Sequence, residues 1–205
     1  MSPNAPTVHA LVLAGGSAQR LGGASKADLR VGGDRLLDLV LGAAAPAVTG
    51  RRVVVAPTTV AVPPGVGQTL EDPPLGGPLA GIAAGLAWLE EAAAAQTDDL
   101  VLVLAVDTPG APQLVPLLVP ASCRPGYEGA VVVGGEPEPF VQHLQACYRF
   151  GPLSRAVTAA GSPRGLSVRR VLRGLRLAQV RQPATTCRDL DTTSDLEHWQ
   201  ARLPG

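Results

Sequence analysis

The sequence has no excess of either charge. Lysine and arginine together number 17, aspartate and glutamate together also number 17, and the formal net charge is zero. A balanced chain has no long-range field that would attract nucleic acid or an anionic membrane surface. We therefore expect no nucleic-acid or membrane partner, and any anionic ligand has to be held by local groups.

Cysteine and long apolar runs are also scarce. The three cysteines, Cys123, Cys147 and Cys187, are an odd number without close spacing. This argues against a disulfide framework and against a CxxC metal or redox site, and it predicts reduced, mostly buried thiols. No apolar run has the length that a membrane span needs, and the first residues lack the pattern of a signal peptide. We expect a cytoplasmic protein.

Short apolar runs alternate with segments of helical period, which is typical of a sheet built from βα units. The runs that predict strands are VHALVLA, RRVVVAP, DLVLVLAVD, GAVVVG and the more polar LRLAQVRQ. The segments that predict helices are residues 34–45, 77–95 and 194–203. In the last of these, Ser194 and Glu197 have the spacing of a capping box.

The length and the apolar content set the expected size of the core. With 205 residues, of which 46% are hydrophobic, the chain can bury the core of one domain without a disulfide or metal. We predict a single domain over residues 1–205. Its fold class is α/β, with a three-layer, mostly parallel, Rossmann-like sheet that carries helices on both faces.

The first predicted strand runs into a glycine-rich loop, AGGSAQRLGGASK. The loop follows a strand end, where open α/β sheets bind ligands. Gly15 and Gly16 allow backbone N–H groups to approach phosphate oxygens, and Arg20 and Lys26 add two cations. The loop contains no GKS or GKT and no GxGxxG, which excludes a P-loop and a dinucleotide fingerprint. It predicts a phosphate site of another kind, with a solvated surface turn as the alternative.

Two carboxylates belong to the same predicted edge. Asp107 ends the most apolar strand, and Asp72 precedes a second glycine turn, GGPLAG, that opens a helix. One strand-end carboxylate is enough for Mg²⁺ when a nucleotide supplies phosphate oxygens. The alternatives are a turn cap for Asp107 and an ordinary loop around Asp72. His9, His143 and His198 are too scattered to suggest a metal cluster.

These motifs resemble a known family. LAGGSAQRLGGASKADL is similar to the LAGGxSxRMGxDK signature of the molybdenum cofactor guanylyltransferase family of nucleotidyltransferases. GGPLAGIAAGL, LAVDTP, HLQACYR, GLSVRRVL and LDTTSDL follow in that family's order, so the resemblance runs from about Ala10 to Trp199. It implies a fold of the nucleotide-diphospho-sugar transferase type.

The resemblance also implies roles for individual residues. Leu13, Ala14, Gly15 and Gly16 with Lys26 would bind GTP, and Asp72 would lie beside the nucleotide. Asp107 would bind the nucleotide through Mg²⁺, and Arg20 would reach the triphosphate. Asp191 stands where the family has the Asn of Asn-Thr-Pro and would be a second metal ligand. Arg20, Lys26 and Asp107 would then be the catalytic set.

The implied reaction transfers GMP from GTP to the phosphate of molybdopterin, with release of pyrophosphate. Transient contacts with other proteins of molybdenum cofactor biosynthesis would follow. Ser25, in place of the Asp before the lysine, and Ala56, in place of an Asn near the nucleotide, depart from the family pattern. Cytidylyl transfer, transfer to a sugar or alcohol phosphate, and a silent nucleotide-binding module therefore stay open.

Overall fold

A seven-stranded sheet lies at the centre of the protein, in a computed structural model that describes residues 5–15 and 25–203. The strands are β1 (Val8–Leu13), β2 (Arg30–Val31), β3 (Asp34–Arg35), β4 (Arg52–Val55), β5 (Gly67–Thr69), β6 (Leu100–Ala105), β7 (Gly129–Gly134), β8 (Phe140–Arg149) and β9 (Leu177–Arg181). The helices are α1 (Leu36–Ala44), α2 (Pro78–Ala93), α3 (Ala111–Ser122), α4 (Phe150–Ala159), α5 (Val168–Leu172), α6 (Ala184–Cys187) and α7 (Thr193–Arg202).

The strand directions bring most strand ends to one edge of the sheet. The order is β5-β4-β1-β6-β8-β7-β9, while β2 and β3 form a separate hairpin. β8 is antiparallel to both of its neighbours, and every other pair in the sheet is parallel. The carboxyl ends of six strands and the amino end of β8 therefore share one edge, which we call the carboxyl edge.

Successive side chains of each strand point to opposite faces of the sheet, so apolar side chains pack on both faces. From β1, Ala10 and Val12 join a buried cluster on one face, and Leu11 joins a second cluster on the other. The first cluster includes Trp199 of α7, and the second includes Ile82 of α2. The prediction of a mostly parallel sheet between two helical layers is confirmed.

All five predicted strands and all three predicted helices are present, but the start of α7 was predicted wrongly. The N-cap is Thr192, whose hydroxyl accepts a hydrogen bond from the Asp195 N–H at 3.3 Å. The Asp195 carboxylate accepts the Thr192 N–H at 2.7 Å in return. Thr192 and Asp195 thus form the capping box, two residues before Ser194 and Glu197. Asp195 is suited to this position because it is buried and also accepts a hydrogen bond from Arg188.

The strand β8 and the helices α3 and α4 were not predicted. Helix α3 contains Pro112, Pro116 and Pro120, which read as breakers in the sequence. Their spacing of four places all three on one exposed stripe of the helix, where the missing hydrogen bonds face water. None of the helices in the described part of the chain combines the length and apolar character needed to cross a membrane.

Candidate active site

A cleft of about 340 Å³ opens at the carboxyl edge, between the ends of β1, β4 and β6 and the start of α2. Leu13 and Val55 form part of its apolar wall. Helix α2 approaches this wall closely at Gly81, where an added Cβ would lie 2.9 Å from the Leu13 side chain and 3.5 Å from that of Val55. Lys26 and Asp107 lie at one end of the cleft and Glu71 also lines it. An apolar cleft with a few charged groups is typical of a nucleotide or cofactor site.

Lys26 is the only lysine of the sequence and lies between two carboxylates. Its Nζ donates to Oδ2 of Asp107 at 2.6 Å and also to Oδ1 of Asp191. Burial alone would lower the pKa of Lys26, but the hydrogen bonds and negative charges of Asp107 and Asp191 outweigh it and raise the pKa. Lys26 is therefore a fixed cation at the mouth of the cleft, and we call the three residues the Lys26 cluster.

The backbone brings Asp191 to Asp107. Asp107 is the second residue after the end of β6. Its carbonyl oxygen accepts a hydrogen bond from the Leu190 N–H at 2.8 Å. The Thr108 hydroxyl donates to the Ala105 carbonyl at 2.5 Å and fixes the turn after the strand. Two segments that are distant in sequence thus present their carboxylates to the same cation.

Asp195 anchors the segment that carries Asp191. Burial by itself would raise the pKa of Asp195, but hydrogen bonds from Thr192, Arg188 and the Asp191 N–H outweigh it and lower the pKa to about 2. The Arg188 Nε lies 2.5 Å from Asp195 Oδ1. The carboxylate stays ionised at neutral pH and holds the chain between Arg188 and Thr192 in place.

Asp189 is a further carboxylate beside the cluster, and the sequence reading did not single it out. The pKa of Asp189 is raised to about 7. Burial is the largest cause, and the negative charges of Asp107 and Asp191 add to it. By surface area the residue is exposed, so solvent screens these charges in part. The Gln145 Nε2 lies 3.5 Å from Asp189 Oδ1 and donates to the Cys187 carbonyl at 3.2 Å.

The donor set suits Mg²⁺ only when a substrate completes it. Among the described residues, no group of three or more His, Cys, Asp or Glu side chains is placed to hold a metal ion. Two carboxylates, Asp107 and Asp191, do converge on one cation, Lys26. Mg²⁺ is commonly bound by one or two carboxylates together with phosphate oxygens. The residues therefore fit a metal that arrives with a triphosphate.

Most of the predicted site residues with described positions come together. Leu13, Gly15, Lys26 and Asp107 line the cleft. Ala14 is buried beside it, and its N–H donates to the Val55 carbonyl at 2.9 Å, which fixes the backbone before the glycines. Asp191 reaches the same place through its contact with Lys26. Gly16 and Arg20 lie outside the described residues.

Asp72, which the resemblance places beside the nucleotide, is not among the residues that line the cleft. It lines a neighbouring groove together with Trp88 and Arg164, and the adjacent Glu71 lines both this groove and the cleft. Glu71 Oε1 also accepts the Gly76 N–H at 3.2 Å, which ties the carboxylate to the glycine turn before α2. The chain bends at Asp72, after β5 has ended at Thr69, so no local sequence pattern separates the two carboxylates.

Comparison with known proteins agrees with this geometry. Residues 10–187 match the family described as MobA-like NTP transferase domain. The chain belongs to this family. It is therefore a nucleotidyltransferase, and the resemblance noted from the sequence motifs is confirmed.

A curated relative and two solved structures are similar to this chain. The chain is 37% identical over 117 residues to a molybdenum cofactor guanylyltransferase of Acidiphilium cryptum, covering 54% of this chain and 56% of the relative. The match thus spans about half the length of the curated relative. Molybdopterin-guanine dinucleotide biosynthesis protein A from Archaeoglobus fulgidus has a TM-score of 0.61 at 19% identity, covering 95% of this chain and 97% of that one.

The second structure is a 2-C-methyl-D-erythritol 4-phosphate cytidylyltransferase from Thermus thermophilus. It has a TM-score of 0.68 at 26% identity, covering 96% of this chain and 98% of that one. The fold is thus shared by proteins whose names specify different bases and different acceptors. The family establishes nucleotidyl transfer, and the substrates have to be inferred from the site.

Proposed function

We propose that the protein is a Mg²⁺-dependent guanylyltransferase that transfers GMP from GTP to the phosphate of molybdopterin. The observation that carries this proposal is the Lys26 cluster, a cation held between two carboxylates at the mouth of an apolar cleft. The name of the Acidiphilium cryptum relative supports the choice of GTP and of molybdopterin.

The cleft and the cluster suit the two ends of a nucleoside triphosphate. The apolar wall of Leu13 and Val55 can contact the base and sugar, and Glu71 offers a carboxylate oxygen to the base. Gly15, at the end of the wall, leaves its backbone N–H accessible to phosphate because it has no side chain. Lys26 is within the same opening and can transfer its hydrogen bonds from carboxylates to phosphate oxygens.

The reaction needs charge neutralisation and positioning rather than a base. An oxygen of the acceptor phosphate attacks the α-phosphorus of GTP, the bond from that phosphorus to the bridging oxygen breaks, and pyrophosphate leaves with the bonding electrons. The nucleophile is already an anion, so no proton has to be removed. Lys26 stabilises the negative charge on the phosphates, and Asp107 with Asp191 would hold Mg²⁺, which would neutralise the charge on the leaving pyrophosphate.

Cytidylyl transfer is the second candidate. The likeness to the Thermus thermophilus cytidylyltransferase over 96% of this chain favours it, as does Ala56, a small apolar residue beside the cleft wall. A cytidylyltransferase or another member acting on a sugar or alcohol phosphate would use the same cluster. A nucleotide-binding protein without catalysis would use the cleft alone.

The decisive experiment measures pyrophosphate release with each of the four nucleoside triphosphates, with and without molybdopterin, at several Mg²⁺ concentrations. We expect release that requires GTP, molybdopterin and Mg²⁺ together. Faster turnover with CTP would replace guanylyl by cytidylyl transfer. Tight nucleotide binding by calorimetry without release from any triphosphate and molybdopterin would favour the silent binding module.

A further inference from the structure

A second pocket, of about 290 Å³, lies at the carboxyl edge on the other side of the Lys26 cluster. It is formed by the turn between β7 and β8 and by the chain from α6 to Asp189, and we call it the hairpin pocket. In the sheet order, β6, which is followed by Asp107, lies between β1 and β4 on the side of the cleft and β8 and β7 on the side of the hairpin pocket. Leu144 of β8 also lines the cleft. The Lys26 cluster therefore has a pocket on each side, as a transfer between two substrates requires.

The hairpin pocket and the cluster are joined by a short segment. Asp189 lines the pocket, Leu190 donates to the Asp107 carbonyl and Asp191 contacts Lys26. Three residues span at most roughly 10 Å when extended. A ligand with its phosphate at the cluster can therefore reach the hairpin pocket with the rest of its structure.

An aromatic ring forms one wall of this pocket. Phe140 is 48% exposed, which is unusual for so large an apolar side chain. Its other side is covered by Gly135, where an added Cβ would lie 2.4 Å from the ring carbon Cε1. Gly135 also has a φ of +110°, a conformation that favours glycine. The ring is thus supported from behind and presents an open face to the pocket.

The polar groups of the pocket suit a ring that donates hydrogen bonds. The carboxyl groups of Glu136 and Asp189 line it and offer oxygen atoms that accept hydrogen bonds. The Arg188 guanidinium also lines it and is oriented by Asp195 at 2.5 Å. The Glu136 carboxylate disfavours a triphosphate here by charge repulsion, while the carboxyl oxygens favour amino and ring N–H groups. The pocket differs in this respect from the Lys26 cluster beside it.

We propose that the hairpin pocket binds the acceptor through a flat heterocycle of the pterin class, stacked on Phe140, while the acceptor's phosphate lies at the Lys26 cluster. This inference rests on the proposed function, because it assigns the second substrate of that reaction. The two substrates then approach the Lys26 cluster from opposite sides, as displacement at the α-phosphorus requires. A pterin carries an amino group and a ring N–H on one edge, which match the carboxylates of Glu136 and Asp189.

The test is a fluorescence titration of the whole protein with 6-hydroxymethylpterin phosphate, in the presence of Mg²⁺ and a non-hydrolysable GTP analogue. We expect Phe140→Ala to raise the Kd of the pterin phosphate by about ten- to a hundredfold, the range seen when a stacking aromatic is removed. Phe140→Tyr should bind as the parent does. Tyr127→Ala is the matched control, because Tyr127 is also an exposed aromatic, 41% exposed, and does not line the pocket.

Two further measurements separate this inference from the proposed function. The Kd of the GTP analogue should be unchanged in Phe140→Ala, and ribose 5-phosphate, which has a phosphate but no aromatic ring, should bind more weakly than the pterin phosphate. Parental pterin affinity in Phe140→Ala, equal loss of GTP-analogue affinity, or equal binding of ribose 5-phosphate would overturn the inference. A selective loss of pterin binding in a protein that transfers no GMP to molybdopterin would instead support the pocket and reject the proposed function.

Discussion

The Nζ of Lys26 lies 2.6 Å from Oδ2 of Asp107, although 81 positions separate the two residues in the sequence. The pair links the loop after β1 to the end of β6, two neighbouring strands of the sheet. A lysine so placed can neutralise the two carboxylates and, when a nucleotide binds, its phosphates.

Lys26→Ala should weaken nucleoside triphosphate binding by about ten- to a hundredfold, because a charge-assisted hydrogen bond contributes roughly 1.5 to 3 kcal/mol. Calorimetric titration measures the effect, with Arg202→Ala as a control that removes an exposed cation at the end of α7. Because Lys26 is the only lysine, a lysine-selective reagent followed by mass spectrometry provides a second readout. GTP with Mg²⁺ should slow its labelling, and unchanged binding and labelling would make Lys26 a merely structural cation.

Asp107→Asn should lower kcat by about 10² or more with little change in the KM for the nucleotide, because the substitution removes the charge that would hold the metal. Thermal stability should change little, since Asn keeps the size of Asp and Lys26 retains its ion pair with Asp191. Asp98→Asn is the matched control, because the Asp98 side chain is 90% exposed. Near-parental pyrophosphate release by Asp107→Asn would reduce Asp107 to a turn residue.

Glu71→Gln should reduce the affinity for GTP about tenfold more than Asp72→Asn does. Glu71 lines the cleft and Asp72 lines the neighbouring groove, so only Glu71 offers a negatively charged acceptor to the N–H groups of a guanine. Titration of both variants with GTP and CTP measures the difference. A larger loss in Asp72→Asn would show that the sequence-based assignment of Asp72 was the better one.

His9→Gln should make the stability of the protein less dependent on pH between pH 6.5 and 5. Burial lowers the pKa of His9 and outweighs the opposing effect of Asp99, whose Oδ2 is 3.5 Å from Nε2. His9 Nδ1 accepts the Arg51 N–H at 3.0 Å, and protonation would abolish this hydrogen bond. The unfolded chain therefore binds the proton more readily, so the parent should lose stability as pH falls below about 6.5.

Urea unfolding of the parent and of His9→Gln at several pH values checks this expectation. The offset between the two free energies of unfolding at pH 7.5 gives the packing cost of the substitution. The offset should shrink as the pH falls towards 5. A constant offset over this range would contradict the assignment of a lowered pKa to His9.

Thr192→Ala should lower the free energy of unfolding by about 1 kcal/mol, as expected for the loss of an N-cap. Ser194→Ala should have a much smaller effect, because Ser194 is exposed and its hydroxyl lies 3.5 Å from Arg188 Nη2. Urea unfolding without metal or nucleotide gives both values. A greater cost for Ser194→Ala would restore the capping box that the sequence suggested.

The strands and helices that were predicted from the sequence are those with a clear pattern of apolar residues along the element itself. Strand β6 and helix α2 have clear apolar patterns, and the glycine loop marked the edge at which Lys26 and Asp107 meet. Strand β8 was missed because its residues, from Phe140 to Arg149, are buried unevenly and its register with β7 shifts after Val131. Tertiary packing determines this strand, and a periodicity argument does not detect it.

Some residues of the candidate site also carry a local sequence signal, and others do not. Asp107 follows a strongly apolar strand and was singled out from the sequence. Asp189 lies in an irregular segment and Phe140 starts a strand without a clear apolar pattern, so neither was singled out. Of the adjacent residues Glu71 and Asp72, only Glu71 lines the cleft, and this depends on the path of the backbone, which no local sequence pattern predicts.

Cys123 offers a site for attaching a probe, because it is exposed whereas the other two cysteines are buried. Burial raises the pKa of Cys147 to about 12 and that of Cys187 to about 11, while Cys123 is exposed. Helix α3 starts near Asp107 and runs for 12 residues, roughly 18 Å, away from the carboxyl edge before Cys123. A maleimide dye or a surface linker would therefore attach at one thiol, at the end of the molecule opposite the cleft, and leave both substrate approaches open.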